Sequence, residues 1–157
     1  MAVSAEIRIQ GLQALQEKLR QRKEVLEKAL DLRLMQLAED AVTHAKQNKG
    51  YKDRTKNLYN SISFALYKNG TLVKLNAGNI PDPKQAPKNH KGVEEKIQQY
   101  ASQPGVVASK GYSLIVVAGM EYGAHVEHKG YNVLYLTKHF LHKEMKQILE
   151  EVIQVNQ

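Results

Sequence analysis

A segment without glycine or proline, from Leu12 to about Lys46, constrains the fold of this chain more than any other feature. It is rich in leucine, glutamine, glutamate, lysine and alanine, which favour a helical backbone. A helix of that extent would be about 50 Å long, whereas the usual helix has about 11 or 12 residues. The sequence therefore predicts one long N-terminal helix around which the rest of the fold has to be arranged.

The apolar residues of this segment form a main stripe and a second set beside it. The main stripe contains Leu12, Leu15, Leu19, Leu26, Leu30, Leu34, Leu37 and Ala41. The second set contains Val25, Leu32, Met35 and Val42. The second half of the helix is therefore apolar on two sides and has more apolar surface to bury than one sheet can cover. Either a partner subunit covers Val25, Leu32 and Met35, or the helix breaks near Asp31 and folds back on itself.

Strand signals occur before and after this helix. Ala5 to Gln10 alternates with Ile7 and Ile9 on one side, which predicts a short strand. Further along, Asn69-Gly70 predicts the two-residue turn of a β-hairpin. The predicted register pairs Leu66 with Val73, Phe64 with Leu75 and Ile62 with Ala77. The opposite face of the hairpin is only half polar.

The segment from Tyr112 to Gly130 combines a strand with a short helical turn. Its first seven residues form an apolar, β-branched run typical of a buried strand, which Gly119 ends. Tyr122 and Val126 share one face of the turn that follows. After Gly130, apolar residues at helical spacing predict a C-terminal helix capped by Asn132.

These elements predict an α+β fold, with a small antiparallel sheet packed against the long N-terminal helix and the C-terminal helix, and with the helices on one face. With 157 residues, the chain is expected to form a single domain, 1–157, that buries about 68 to 70% of its unfolded surface. Residues 79–111 are expected to form a mobile basic loop and a short helix inserted between strands.

The net charge of +7 is concentrated in the middle of the chain. Residues 44–91 carry ten basic and two acidic residues, and the remainder is close to neutral. The candidate basic surface consists of Lys52, Arg54, Lys56, Lys84, Lys88 and Lys91. Such a region is either a solvated basic face or a surface that meets nucleic acid or an acidic protein. Tyr51, Tyr59 and Tyr67 interleave with the basic residues and are candidates for stacking on bases.

Catalytic and cofactor motifs are missing from the sequence. There is no cysteine, no nucleophile elbow and no phosphate-binding loop. His125, His128, His139 and His142 form two i, i+3 pairs, a weak signal for a metal site. We therefore expect no enzyme, no catalytic residue, no metal and no cofactor. The polar N-terminus and the lack of an apolar run of about 20 residues predict a soluble intracellular product without a membrane span.

Three segments together resemble the tail-completion or head–tail joining proteins of long-tailed bacteriophages, which are often described as minor tail components. Ile9 to Leu15 is similar to that family's opening of a strand, a Gly-Leu step and a long helix. Arg54 to Ile62 is similar to its Thr-Gly-x-Leu-Arg-x-Ser-Ile pattern, although Lys56 stands where the family usually has glycine and Tyr59 where it has arginine. Glu121 to Glu127 is similar to its Tyr-Ala-x-x-Val-Glu signature.

The resemblance implies a non-enzymatic virion component made in the cytoplasm of a bacterial host. It implies a homo-oligomeric ring at the neck or tail end, with other head–tail or tail proteins as partners and non-specific contact with packaged DNA. It also implies that Tyr122 and Val126 anchor the turn in the core. Glu127 would either cap local backbone donors or pair with a basic residue of an adjacent subunit. A basic nucleic-acid-binding module is the alternative function.

Overall fold

The computed structural model describes residues 11–78 and 92–155 of the chain. The predicted strand from Ala5 to Gln10 and the candidate basic residues Lys84, Lys88 and Lys91 lie outside the described residues. The helices are α1 (Leu12–Gln47), α2 (Asn57–Asn60), α3 (Val93–Ala101), α4 (Gly123–His128) and α5 (Tyr135–Val155). The strands are β1 (Ile62–Lys68), β2 (Thr71–Asn76) and β3 (Tyr112–Ala118). The predicted α+β fold is confirmed.

Contacts divide the chain into two compact units, Met1–Leu32 and Arg33–Gln157, with the boundary inside α1. Asp31 lies within this helix, so the break predicted near it as one alternative is not observed. That the chain forms a single domain stays a prediction.

In the first unit, the helix is stabilised by pairs of side chains along its own surface. The Arg20 guanidinium donates hydrogen bonds to Glu17 and Glu24, each at 2.7 Å. This contact lowers the pKa of Glu17, and Glu17 raises the pKa of Arg20. Such i, i+3 and i, i+4 pairs support a helix by only about 0.2 to 0.5 kcal/mol each. No residue from 11 to 32 is buried, so the described part of this unit contains no core.

The second unit contains a three-stranded antiparallel sheet in the order β2-β1-β3. On one face, Ile62 and Phe64 of β1 pack against Ala38, Val42 and Ala45 of α1. On the opposite face, Ala65, Tyr67 and Ile115 pack against Val93 and Ile97 of α3. The prediction that the helices lie on one face is therefore wrong, because α3 covers the face of the hairpin that the sequence leaves half polar.

The hairpin turn is confirmed, but most of the predicted register is not. Asn69 and Gly70 both have positive φ angles, 51° and 80°, as a two-residue type I′ turn requires. The register shifts between Leu66 and Tyr67, so that Leu66 pairs with Lys74 and not with Val73. One extra residue in β2 forms a β-bulge. The bulge moves Lys74 to the face where its ammonium contacts Glu39 of α1 at 2.6 Å.

Candidate assembly surfaces

The first candidate surface is the apolar stripe of α1 in the first unit. Leu12, Leu15 and Leu19 are 46%, 54% and 57% exposed. Val25 and Leu32, two of the predicted interface residues, are also exposed. Leu12, Leu15 and Leu19 follow one face of the helix over about two turns, whereas Val25 and Leu32 lie beside that face. Exposed apolar residues that recur along one face of a helix are typical of a surface that binds a partner.

Met35, the third predicted interface residue of the helix, belongs to the second unit and is half-buried. Its neighbours on the helix, Leu34 and Leu37, are buried in the core. Val25 and Leu32 are therefore accessible to a partner, whereas Met35 lies at the edge of the core.

The turn after β3 depends on a close approach at Gly119. A Cβ atom at this position would lie 2.6 Å from Cγ2 of Val93. The Gly119 N–H donates to the Ser61 carbonyl at 3.1 Å, and the Lys96 ammonium donates to the Gly119 carbonyl at 2.5 Å. Gly119 thus lets α3 approach the end of the sheet, a role that the sequence did not indicate. It also directly follows the last residue of β3, where the sequence placed the end of the strand.

The core residue of this turn is Met120, which the sequence analysis missed. Met120 is buried with Leu58 and Val133, and Val126 packs against this cluster. Tyr122, which we expected in the core, is 39% exposed. Tyr122 still belongs to the turn, because its carbonyl accepts a hydrogen bond from the Val126 N–H at 3.0 Å. The expectation of a core position is therefore correct in part for Val126, which is half-buried, and wrong for Tyr122.

Glu127 caps the N-terminus of α5. Its Oε2 atom accepts hydrogen bonds from the N–H groups of Val133 and Leu134 at 3.1 and 2.7 Å. Its Oε1 atom accepts one from the N–H of Tyr135 at 3.3 Å. The first N–H groups of a helix have no partner within the helix, and a negative charge there is favoured by the helix dipole. Of the two roles expected for Glu127, the structure shows the local one.

Asn132 completes the start of α5 and confirms the predicted cap. Its Oδ1 atom accepts a hydrogen bond from the Leu136 N–H at 2.9 Å. Its amide donates to the Asn48 carbonyl at 2.7 Å, which ties the start of α5 to the segment that follows α1.

The basic surface is only partly described. Lys52, Arg54 and Lys56 are exposed. The nearby lysines contact aromatic rings, since the Lys46 and Lys49 ammonium groups lie 5.1 and 5.5 Å from the ring centre of Tyr59. The positive charge of this cluster can attract an anionic partner. The ring of Tyr59 is already in contact with two lysines, so a base would have to displace them in order to stack on it.

The other tyrosines are less suited to stacking on bases. Tyr67 is buried against α3, so its predicted stacking role is wrong. Tyr51 is half-buried, and its hydroxyl has no hydrogen-bond partner among the described residues. Burial, followed by the charge of Asp53, raises the pKa of Tyr51 far above its usual value.

The histidines do not form a metal site in the described part of the chain. No group of three or more histidine, aspartate or glutamate side chains within residues 11–78 and 92–155 is arranged to hold a metal ion. His139 makes an edge contact with Tyr135, and His142 lines a groove.

That groove lies between β3 and α5 and is the second candidate surface among the described residues. Its volume is about 450 Å³. Its lining residues are Leu114, Val116, Leu134, Thr137, Lys138, Leu141, His142 and Met145. The sequence predicted both elements but not the gap between them, because the gap depends on how far α5 lies from the edge of the sheet.

The chain matches no protein-family model, no curated protein and no solved structure. Among the described helices, none has the length and apolar character needed to cross a membrane.

Proposed function

We propose that this chain is a structural assembly protein of a bacteriophage virion, of the tail-completion or head–tail joining type, which binds further copies of itself at the neck or tail end. The exposed apolar stripe at Leu12, Leu15 and Leu19 carries the proposal. A face of this kind is stabilised when another subunit covers it.

The positions that resemble the phage family have structural roles, which supports the resemblance. Lys56, where that family has glycine, has a φ of 61°, a conformation that glycine adopts without strain. Leu58 and Ile62 of the same segment are buried. Glu127, at the end of the Val-Glu signature, caps α5.

Light scattering of the purified chain over a range of concentrations tests self-association. We expect the molar mass of the wild type to rise with concentration, and the double variant Leu15→Glu/Leu19→Glu to stay monomeric. Gln13→Glu is the control, because it adds a negative charge to an exposed position of the same helix that lies away from both the stripe and Val25. A wild type that is monomeric throughout contradicts the proposal.

The neighbouring genes test the virion role separately from self-association. We expect genes for phage heads and tails beside the gene for this chain, because phage morphogenesis genes are usually clustered. Electron microscopy of the associated protein should show closed rings. A self-associating chain encoded among unrelated genes contradicts the virion role but not the assembly surface.

A nucleic-acid-binding module is the second candidate, and the exposed Lys52, Arg54 and Lys56 favour it. Binding to duplex DNA measured at two salt concentrations tests this function. Tight binding by a monomer that weakens about fortyfold or more between 50 and 200 mM salt, the change expected for three phosphate contacts, would favour it over assembly. Weak binding by an associating protein would favour assembly.

A further inference from the structure

The outer edge of β3 has no strand beside it in the part of the chain that the structure describes. β3 is at one end of the sheet and pairs with β1. The Gly119 N–H donates to the Ser61 carbonyl, and the Asn69 N–H donates to the Gly111 carbonyl. Since backbone groups of an antiparallel strand alternate in direction, the odd-numbered residues of β3 face β1. The backbone groups of Leu114 and Val116 therefore face the open edge.

The side chains of the same two residues line the groove against α5. Leu114 and Val116 form one wall, and Leu141 and Met145 of α5 contribute to the other. A strand added at this edge would bond to the backbone of Leu114 and Val116. Its alternate side chains would enter the apolar groove, while the others would point to the opposite face.

The two edges of the sheet differ in how well they can accept a strand. The six-residue strand β2 is interrupted by the bulge near Val73 and carries Lys74. Bulges and lysines are features that prevent pairing at an edge. β3 has seven residues with a continuous register against β1 and an apolar sequence. Of the two edges formed by the described residues, the β3 edge is therefore better suited to accept a further strand.

One segment of this chain has the pattern that the edge and groove require. Ala5 to Gln10 alternates polar residues with Ala5, Ile7 and Ile9, and it lies outside the described residues. Six residues in a strand would extend about 20 Å, close to the length of about 23 Å for a seven-residue strand. Ile7 and Ile9 have the same i, i+2 spacing as Leu114 and Val116.

We propose that Ala5 to Gln10 of a second copy of this chain adds to the edge of β3, with Ile7 and Ile9 in the groove between β3 and α5. This inference rests on the proposed function, since a repeated contact between different surfaces of identical subunits produces rings or filaments. The polar residues Glu6 and Arg8 point away from the groove in this arrangement.

Disulfide cross-linking tests the contact, because the natural chain has no cysteine. A tagged Ile7→Cys or Ile9→Cys variant is mixed with an untagged Leu114→Cys or Val116→Cys variant and oxidised. Residues opposite each other on antiparallel strands have Cα atoms about 4.5 to 5.5 Å apart, within the range of a disulfide. We expect a covalent dimer that contains one tagged and one untagged chain. Arg8→Cys is the matched control and should give no such dimer above background.

The pairs that cross-link also give the direction of the added strand. Ile7 with Val116 and Ile9 with Leu114 indicate an antiparallel strand, whereas Ile7 with Leu114 and Ile9 with Val116 indicate a parallel one. Both patterns support the proposal. Equal cross-linking by Arg8→Cys overturns it.

Two further results separate this inference from the proposed function. If the mixed variants associate, as judged by molar mass, but give no mixed disulfide, the inference is wrong and the assembly function stands. If a chain that carries both Ile7→Cys and Val116→Cys gives a cross-linked monomer, the segment binds its own chain and the second copy is excluded. A wild-type chain that stays monomeric at every concentration overturns both proposals.

Discussion

The two parts of α1, residues 12–32 and 33–47, have the same apolar periodicity, but only the second part contains buried residues. Leu15 and Leu19 in the first part are exposed, whereas Leu34 and Leu37 in the second part are 1% and 4% exposed. In the second part, Ala38, Val42 and Ala45 pack against Ile62 and Phe64 of the sheet. Helical periodicity therefore identifies an apolar face but not what covers it.

Truncation of one leucine in each part of α1 should produce the strongest contrast in stability. Leu34→Ala should lower the free energy of unfolding by about 2 to 5 kcal/mol, because it leaves a cavity in the core. Leu19→Ala should change it by about 0.5 kcal/mol or less, because the side chain is already in water. Denaturant unfolding at the lowest practical protein concentration measures both values without a contribution from association. If Leu34→Ala and Leu19→Ala lowered the free energy of unfolding equally, the side chains of both parts of the helix would have to be buried.

The second prediction concerns the close approach at Gly119 in the larger unit. Gly119→Ala should lower the free energy of unfolding by about 1 to 3 kcal/mol, because the added methyl group would overlap the side chain of Val93. Val93→Ala should also be destabilising, but the double variant should lose less than the sum of the two, as a double-mutant cycle measures. Additive losses would mean that the methyl group does not meet Val93.

Neither of these substitutions should change the surface of residues 12–32. We therefore expect association by Gly119→Ala, measured below its unfolding transition, to depend on concentration as in the wild type. If Gly119→Ala changed association while the fold stayed intact, the turn would affect the surface of residues 12–32, and the two regions would not be independent.

The third prediction concerns the cap on α5. Glu127→Ala should lower the free energy of unfolding by about 1 to 2 kcal/mol, because it removes the acceptor of three backbone N–H groups. Glu127→Gln should lose less, because the amide oxygen still accepts hydrogen bonds. Glu150→Ala is the control for charge, since Glu150 is exposed near the other end of α5, and it should change stability by about 0.5 kcal/mol or less. A similar loss in the control variant would argue against the cap.

Local signals in the sequence were sufficient to predict an element where the conformation of a segment depends on its own residues. The Gly- and Pro-free segment gave α1, Asn69-Gly70 gave the turn, and Asn132 gave a cap of α5. Each of these depends on propensity or on a hydrogen bond to a residue close in the chain. The three strands that the structure describes were found for the same reason.

Features that depend on distant contacts could not be predicted from the same signals. The bulge near Val73 changes the hairpin register, although the alternating pattern looks regular. Met120 is buried in the turn and Tyr122 is not, although both are apolar enough for a core. The groove beside Leu114 depends on the position of α5, which no local pattern specifies. For the candidate surfaces, the sequence identified the exposed Val25 and Leu32 but not the exposure of Leu12, Leu15 and Leu19, nor the edge of β3 that has no neighbouring strand among the described residues.

The backbone conformation at Lys56 should have a weaker influence on stability than the sites above. A residue other than glycine in the left-handed conformation costs about 1 to 2 kcal/mol, and glycine costs about 0.5 to 1 kcal/mol in chain entropy. With φ at 61°, Lys56→Gly should therefore raise the free energy of unfolding by about 0.5 to 1 kcal/mol, or the melting temperature by about 1 to 4 °C. Lys52→Gly removes the same charge from an exposed position without a positive φ, so it should not stabilise the fold. Association through residues 12–32 should be unchanged in both variants, because neither alters that face. Stabilisation by Lys52→Gly as well would attribute the gain to the lost charge and not to the backbone.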